Sequence, residues 1–274
     1  MSQQRKTFPE ILASVGFDCG VEYRSLHRLV YGERPSLHFG LMGTVRSFFL
    51  DVGFRGTATT IEDFDQRHHF TFFETVESDD LDYLLSFCEY AYSFASALAD
   101  VGVGDLGKVG HVIQQVQKVA ELSHHRIVEA TGSKYMLIPA DPAVIEVASL
   151  LPDSLAVPVM TYNHRSLKGD IDAKRSIIKG MANHFESRRD DLKAISSALC
   201  SELFFELNNL SIRHDNISPS SRHYKPHLAN MGRDELEEWY DNTYRSCLEA
   251  TLALDRFDRR EALSKLKEDL QERL

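Results

Sequence analysis

The chain has 274 residues, a length that holds one large domain or two of modest size. Apolar residues make up 43% and charged residues 26%, enough aliphatic material for a packed core. A formal net charge of −10 excludes a generally basic surface of the kind that condenses on nucleic acid, so any such site must be a local basic groove.

No run approaches the roughly 18 uninterrupted apolar residues of a membrane helix. No apolar stretch follows Met1–Lys6, so no secretory signal is expected. Cys19, Cys88, Cys200 and Cys247 are widely spaced and form no CxxC pair. Three of them fall at apolar helical positions, which points to reduced, buried thiols and a cytoplasmic protein.

Proline placement divides the chain. After Pro9 and Pro35 none occurs before Pro139, and Pro142, Pro152 and Pro158 follow closely. Because proline disrupts helix interiors, the long Pro-free blocks are where long helices are expected. Leu81, Leu84, Leu85, Cys88, Tyr92, Ala95 and Leu98 step by three and four behind a Ser78-Asp79 start, predicting an amphipathic helix. Leu106 through Ile127 repeats the pattern, and Gly102–Asp105 reads as the turn of an antiparallel helical hairpin.

Strand signals are few: His69–Thr75 and Tyr135–Ile138 suggest at most a short β-hairpin in the N-terminal half. Ile171–Phe185 predicts a third helix and Leu192–Leu210 a fourth. A fifth begins near Asp234, where Asp234 and Glu237 have capping-box spacing, and buries Leu236, Tyr240, Thr243, Cys247, Thr251 and Leu254. Leu263, Leu266, Leu270 and Leu274 continue a helical stripe to the end of the chain. The simpler reading of that stripe is a solvated amphipathic helix docked on its own chain, the sharper one a short assembly helix. The fold class is mainly α. Three regions are expected: residues 1–132 as an N-terminal helical region, 133–167 as a Pro-containing connector and 168–274 as a helical bundle.

Several apparent motifs lack their context. Gly102–Gly107 matches GxGxxG but follows a helical pattern where a strand is required. Glu121, His124 and Glu129 suggest half of a di-iron site, yet no second ExxH occurs. HExxH, GxSxG and Walker A sequences are absent, and no cofactor or metal is expected.

The segment from Glu206 to Asp241 is different. Arg213, His214, Arg222, His223, Lys225, His227 and Arg233 crowd together in an otherwise acidic chain, and three of its twelve histidines fall between 214 and 227. Asn208, Asn209 and Asn216 add neutral hydrogen-bonding groups. A histidine near neutral pKa can accept a proton from a ribose 2′-hydroxyl or supply one to a leaving oxygen. An arginine can grip the phosphate and offset charge in the transition state. The same residues can instead cap a helix C-terminus, where cations suit the dipole.

This segment resembles the HEPN superfamily, all-helical proteins that are often ribonucleases of toxin–antitoxin, abortive-infection and CRISPR-linked defence systems. Their mark is Arg followed four to six residues later by His, with Asn, Asp or His often directly after the Arg. Arg222 and His227 meet that spacing, with Pro226 between them. Arg213, followed by His214, Asp215 and Asn216, sits where the family's Arg usually lies, at a helix end, but His223 is beyond the usual interval. The stretches from Tyr162 to Arg175, Phe204 to Asn216 and Leu236 to Asp241 are also similar to bacterial proteins linked to abortive infection.

The resemblance covers the C-terminal half. It implies a metal-independent endoribonuclease acting as an anti-phage effector or toxin, with Arg213, His214, Asn216, Arg222, His223 and His227 as candidate catalytic residues. It further implies RNA as partner, a homodimer with the site between protomers, and a possible antitoxin or other protein partner; no membrane association is expected. The alternative is a non-catalytic helical interaction or scaffold subunit of a defence complex.

Overall fold

The computed structural model describes residues 16–32, 40–73, 79–130 and 134–271. The fold is mainly α, with one two-stranded antiparallel hairpin among the described residues. No described helix is long and apolar enough to cross a membrane. The chain divides into two compact units at Pro139/Ala140. The division falls inside the expected connector, which is itself structured: the end of the hairpin goes to the first unit and two short helices to the second.

The first unit contains α1 (Cys19–Tyr31), α2 (Leu41–Phe48), α3 (Ile61–His68), α4 (Leu81–Val101), α5 (Leu106–Leu122), β1 (His125–Ala130) and β2 (Lys134–Pro139). Helix α4 forms its centre, burying residues on several faces, among them Leu84, Phe87, Tyr90, Phe94 and Leu98. Asp80 provides its N-cap and Gly102, at φ 70°, ends it in the left-handed conformation that glycine adopts without strain. Asp105 then caps α5, so the GxGxxG segment is an interhelical turn.

The predicted continuation of α5 to Ile127 fails. The helix ends at Leu122, His124 takes φ 57°, and Ile127 lies in β1, paired with Leu137. Ile127 is a β-branched residue whose three- and four-residue spacing from α5 is coincidental. His69–Phe73 forms no strand: His69 is a left-handed cap on α3. Glu74 and Thr75, the rest of that expected strand, lie outside the described residues.

The second unit contains α6 (Pro142–Leu150), α7 (Asp153–Thr161), α8 (Ile171–Glu186), α9 (Arg189–Ile195), α10 (Ser197–Asn209), α11 (Pro226–Ala229) and α12 (Arg233–Gln271). Prolines mark helix starts here: Pro142 and Pro226 occupy first-turn positions and Pro152 precedes α7. Pro158 lies inside the short α7. The single fourth helix expected over Leu192–Leu210 is two helices, because Ser196 is extended and its hydroxyl caps α10 by accepting from Leu199 N–H.

Every core position predicted for α12 is buried, from Leu236 to Leu254. Its capping box does not form. Glu237 accepts instead from Gly169 N–H at 2.8 Å and from Lys174 Nζ at 2.7 Å. Lys174, only 6% exposed, also reaches Asp241 at 2.7 Å, which accepts from the Tyr162 hydroxyl at 3.0 Å. Tyr162 in turn stacks on Tyr244 with ring centroids 3.9 Å apart. The Tyr162–Arg175 and Leu236–Asp241 stretches are thus joined through one buried polar network.

At 39 residues α12 is about 58 Å long. Beyond Asp255 it leaves the core: Leu263, Leu266 and Leu270 are exposed. The expected docking of this stripe on its own chain does not occur among the described residues. Leu274 lies outside them.

Candidate functional site

The basic segment forms a folded loop between α10 and α11, and Asn216 organises it. Asn216 is 1% exposed. Its Oδ1 accepts from Ser211 N–H at 2.9 Å, its Nδ2 donates to the His223 carbonyl at 2.9 Å, and its own carbonyl accepts from Lys225 N–H at 2.8 Å. Ser211 holds φ 59° at the start of the loop. A side chain that answers both backbone polarities replaces the ladder that a loop lacks, which is why asparagine suits this position. Asp215 adds a local turn by accepting from Ile217 and Ser218 N–H, and these bonds hold its carboxyl below its ordinary value.

Closing the loop this way brings His214 and His223 face to face, ring centroids 4.3 Å apart and planes 15° from parallel. Arg222 Nε donates to His223 Nε2 at 2.9 Å, which fixes that ring nitrogen as the acceptor. Among the described residues the His214 ring has no hydrogen-bond partner. Partial burial, followed by the nearby His223, Arg213 and Arg222, lowers the His214 pKa from its ordinary value. These side chains line a cleft of about 330 Å³ together with Asn208, Asn209 and Lys225. Such a cleft can hold an anion beside a histidine whose neutral form is favoured first by burial and then by its charged neighbours.

The six candidates separate into three groups. His214, Arg222 and His223 converge in the cleft, and Asn216 lies at its base as the residue that holds the loop. Arg213 is engaged elsewhere: its guanidinium meets Glu186 at 2.9 Å, bonds Asn208 Oδ1 at 3.3 Å and lies over Phe204. His227 sits on α11 and lines a different recess. The favourable Arg222/His227 spacing therefore does not place those two side chains in one pocket, because Pro226 starts a new helix between them.

That second recess adjoins the cleft, since Asn209 and Lys225 line both. Phe205, Leu228, Met231 and Trp239 make it predominantly apolar. The charge and histidine count of the segment do not signal it; the visible cue is an aromatic pair, Phe205 and Trp239, at solvent-facing positions on two helices.

No three His, Cys, Asp or Glu side chains among the described residues come together as a metal-binding group. All four cysteines are free, and Cys88, Cys200 and Cys247 are buried. No family model, curated protein or solved structure matches the chain.

Proposed function

We propose that this chain is a metal-independent, HEPN-like endoribonuclease acting inside the bacterial cell as an anti-phage effector or toxin. The observation that carries the reading is the His214–His223 pair beside Arg222 in a cationic cleft of a protein whose net charge is −10. His223 Nε2 is already taken by Arg222, which leaves His214 as the ring of the pair that serves proton transfer. His214, with its lowered pKa and unbonded ring, is the base that takes the 2′-hydroxyl proton. The 2′-oxygen bonds to phosphorus, the bond to the 5′-oxygen breaks, and that oxygen leaves with a proton from water. Arg222 and Lys225 hold the phosphate and offset its growing charge. His223 keeps His214 in place and its pKa low.

The test is incubation of the purified protein with end-labelled tRNA and mRNA in EDTA, alongside His214→Ala and Arg222→Ala. Cleavage that survives EDTA and disappears in both variants supports this assignment. Cleavage undiminished in both folded variants removes the cleft from the mechanism.

A second reading, a non-catalytic interaction subunit, is favoured by one specific observation: the exposed Leu263, Leu266 and Leu270 stripe beyond the core. Expression separates the two, since an active ribonuclease slows its host and a scaffold does not.

A further inference from the structure

The recess beside the histidine cleft has features that a folding role leaves unexplained. It encloses about 320 Å³, a size at the small end of ligand sites. Phe205, on α10, is 67% exposed and Trp239, on α12, is 42% exposed. Both occupy helix positions where a polar side chain is favoured if nothing binds. The recess begins where the cationic cleft ends, with Lys225 and Asn209 as their common wall. Asn209 donates its amide back to Phe205 O at 2.7 Å, which fixes its orientation at this junction. Lys225 enters no ion pair among the described residues.

A flat apolar ring joined to an anion is the ligand that matches an aromatic recess opening onto a cationic cleft. A nucleotide has that form, and base stacking on aromatic side chains is the usual sequence-tolerant contact to single strands. The acid on the recess wall, Glu206, is half-buried, and burial pushes its carboxyl upward, which weakens its repulsion of an approaching phosphate. A base paired in a duplex cannot enter without leaving its stack.

We infer that this recess seats one unpaired nucleobase of single-stranded RNA, between Phe205 and Trp239, with the adjoining phosphate in the His214–His223 cleft and Lys225 at the step between them. The placement of the phosphate rests on the proposed ribonuclease reading; the base site rests on the recess itself.

Trp239 is the chain's single tryptophan, so intrinsic fluorescence reports on this recess alone. The full-length protein is titrated with a non-cleavable 2′-O-methyl hexanucleotide, the same strand annealed to its complement, an abasic strand of equal charge, and a tyrosine-containing acidic peptide. The single strand is expected to change Trp239 emission and to bind at least tenfold more tightly than duplex or abasic strand. Phe205→Ala, at an exposed position that does not threaten folding, is expected to weaken it about tenfold. Equal binding of intact and abasic strands, or binding seen by anisotropy with unchanged emission, overturns the inference. Peptide binding as strong as that of the oligonucleotide also overturns it and marks a protein-docking surface.

Failure of the two readings can be told apart. Base-dependent quenching without any RNA cleavage leaves the recess standing and removes the ribonuclease. Cleavage by the wild type with no base-dependent quenching does the reverse.

Discussion

Two polar assemblies in the second unit use similar materials to opposite ends. Around Lys174, one buried ammonium is answered by Glu237 and Asp241, a tyrosine hydroxyl closes on Asp241, and Gly169 N–H donates to the same Glu237 oxygen that Lys174 holds. Around His214, cations crowd one another, Arg222 donates to a histidine and not to an acid, and the cleft stays open. A charged group removed from water must be paired, so the first assembly is closed and structural. The second keeps its charge uncompensated at partial exposure, an arrangement that a bound anion would stabilise.

Breaking the closed assembly should have the largest effect on stability. Lys174→Met leaves two carboxylates beside a hydroxyl with no cation, and Glu237 is largely buried. The expected loss is about 3 kcal/mol, measured by urea unfolding with Lys174→Arg as the conservative control. A loss below about 1 kcal/mol would show that the network relaxes into solvent.

Asn216→Ala tests whether the open assembly depends on its own buried support. It orphans Ser211 N–H and the His223 carbonyl, at a cost of about 2 kcal/mol. Because the same bonds set the position of His223, RNA cleavage should fall much further than stability does. Parallel losses would mean the loop tolerates rearrangement.

Arg222→Ala sharpens the contrast from the other side. Arg222 is exposed, so stability should change by no more than about 0.5 kcal/mol. RNA affinity should weaken, and the slope of log affinity against log salt should drop by about 1.

The smallest effect is on titration. The lowered His214 pKa means that the folded chain prefers the neutral ring. Its contribution is present above the ordinary histidine value of 6.5 and is lost as pH falls through the lowered folded value. The His214 ring proton followed by NMR should titrate below 6.5, and Arg222→Gln, which removes one neighbouring cation, should raise the midpoint. Cleavage should rise with pH over the same acidic window, since the base must be neutral to act. An unmoved midpoint would leave burial, the larger cause, as the whole explanation.

The helices of the core were legible because their periodicity extends over several turns and burial enforces it. The predicted α12 positions Leu236, Tyr240, Thr243, Cys247, Thr251 and Leu254 are all buried, with Tyr244 and Ala250 joining them unpredicted, and the expected turn at Gly102–Asp105 forms. Boundaries were less so. Ser196 can sit inside a helix or cap one, and only its extended backbone decides between them. β1 was hidden because His125–Ala130 acquires strand character only through β2, and pairing partners are not written in local spacing.

At the site, composition alone marked the basic segment, since the sign of charge is a property of the residues. Which members meet was decided by the loop: Asn216 brings His214 and His223 into contact, Glu186 takes Arg213 aside, and Pro226 sends His227 to another recess. By itself the sequence determined a mainly α fold, its apolar helix faces and the place where positive charge collects, because each follows from local pattern or composition. Only the tertiary structure decided that Lys174 is answered by acids while Arg222, among the described residues, is not, because charge pairing depends on distances between residues far apart along the chain.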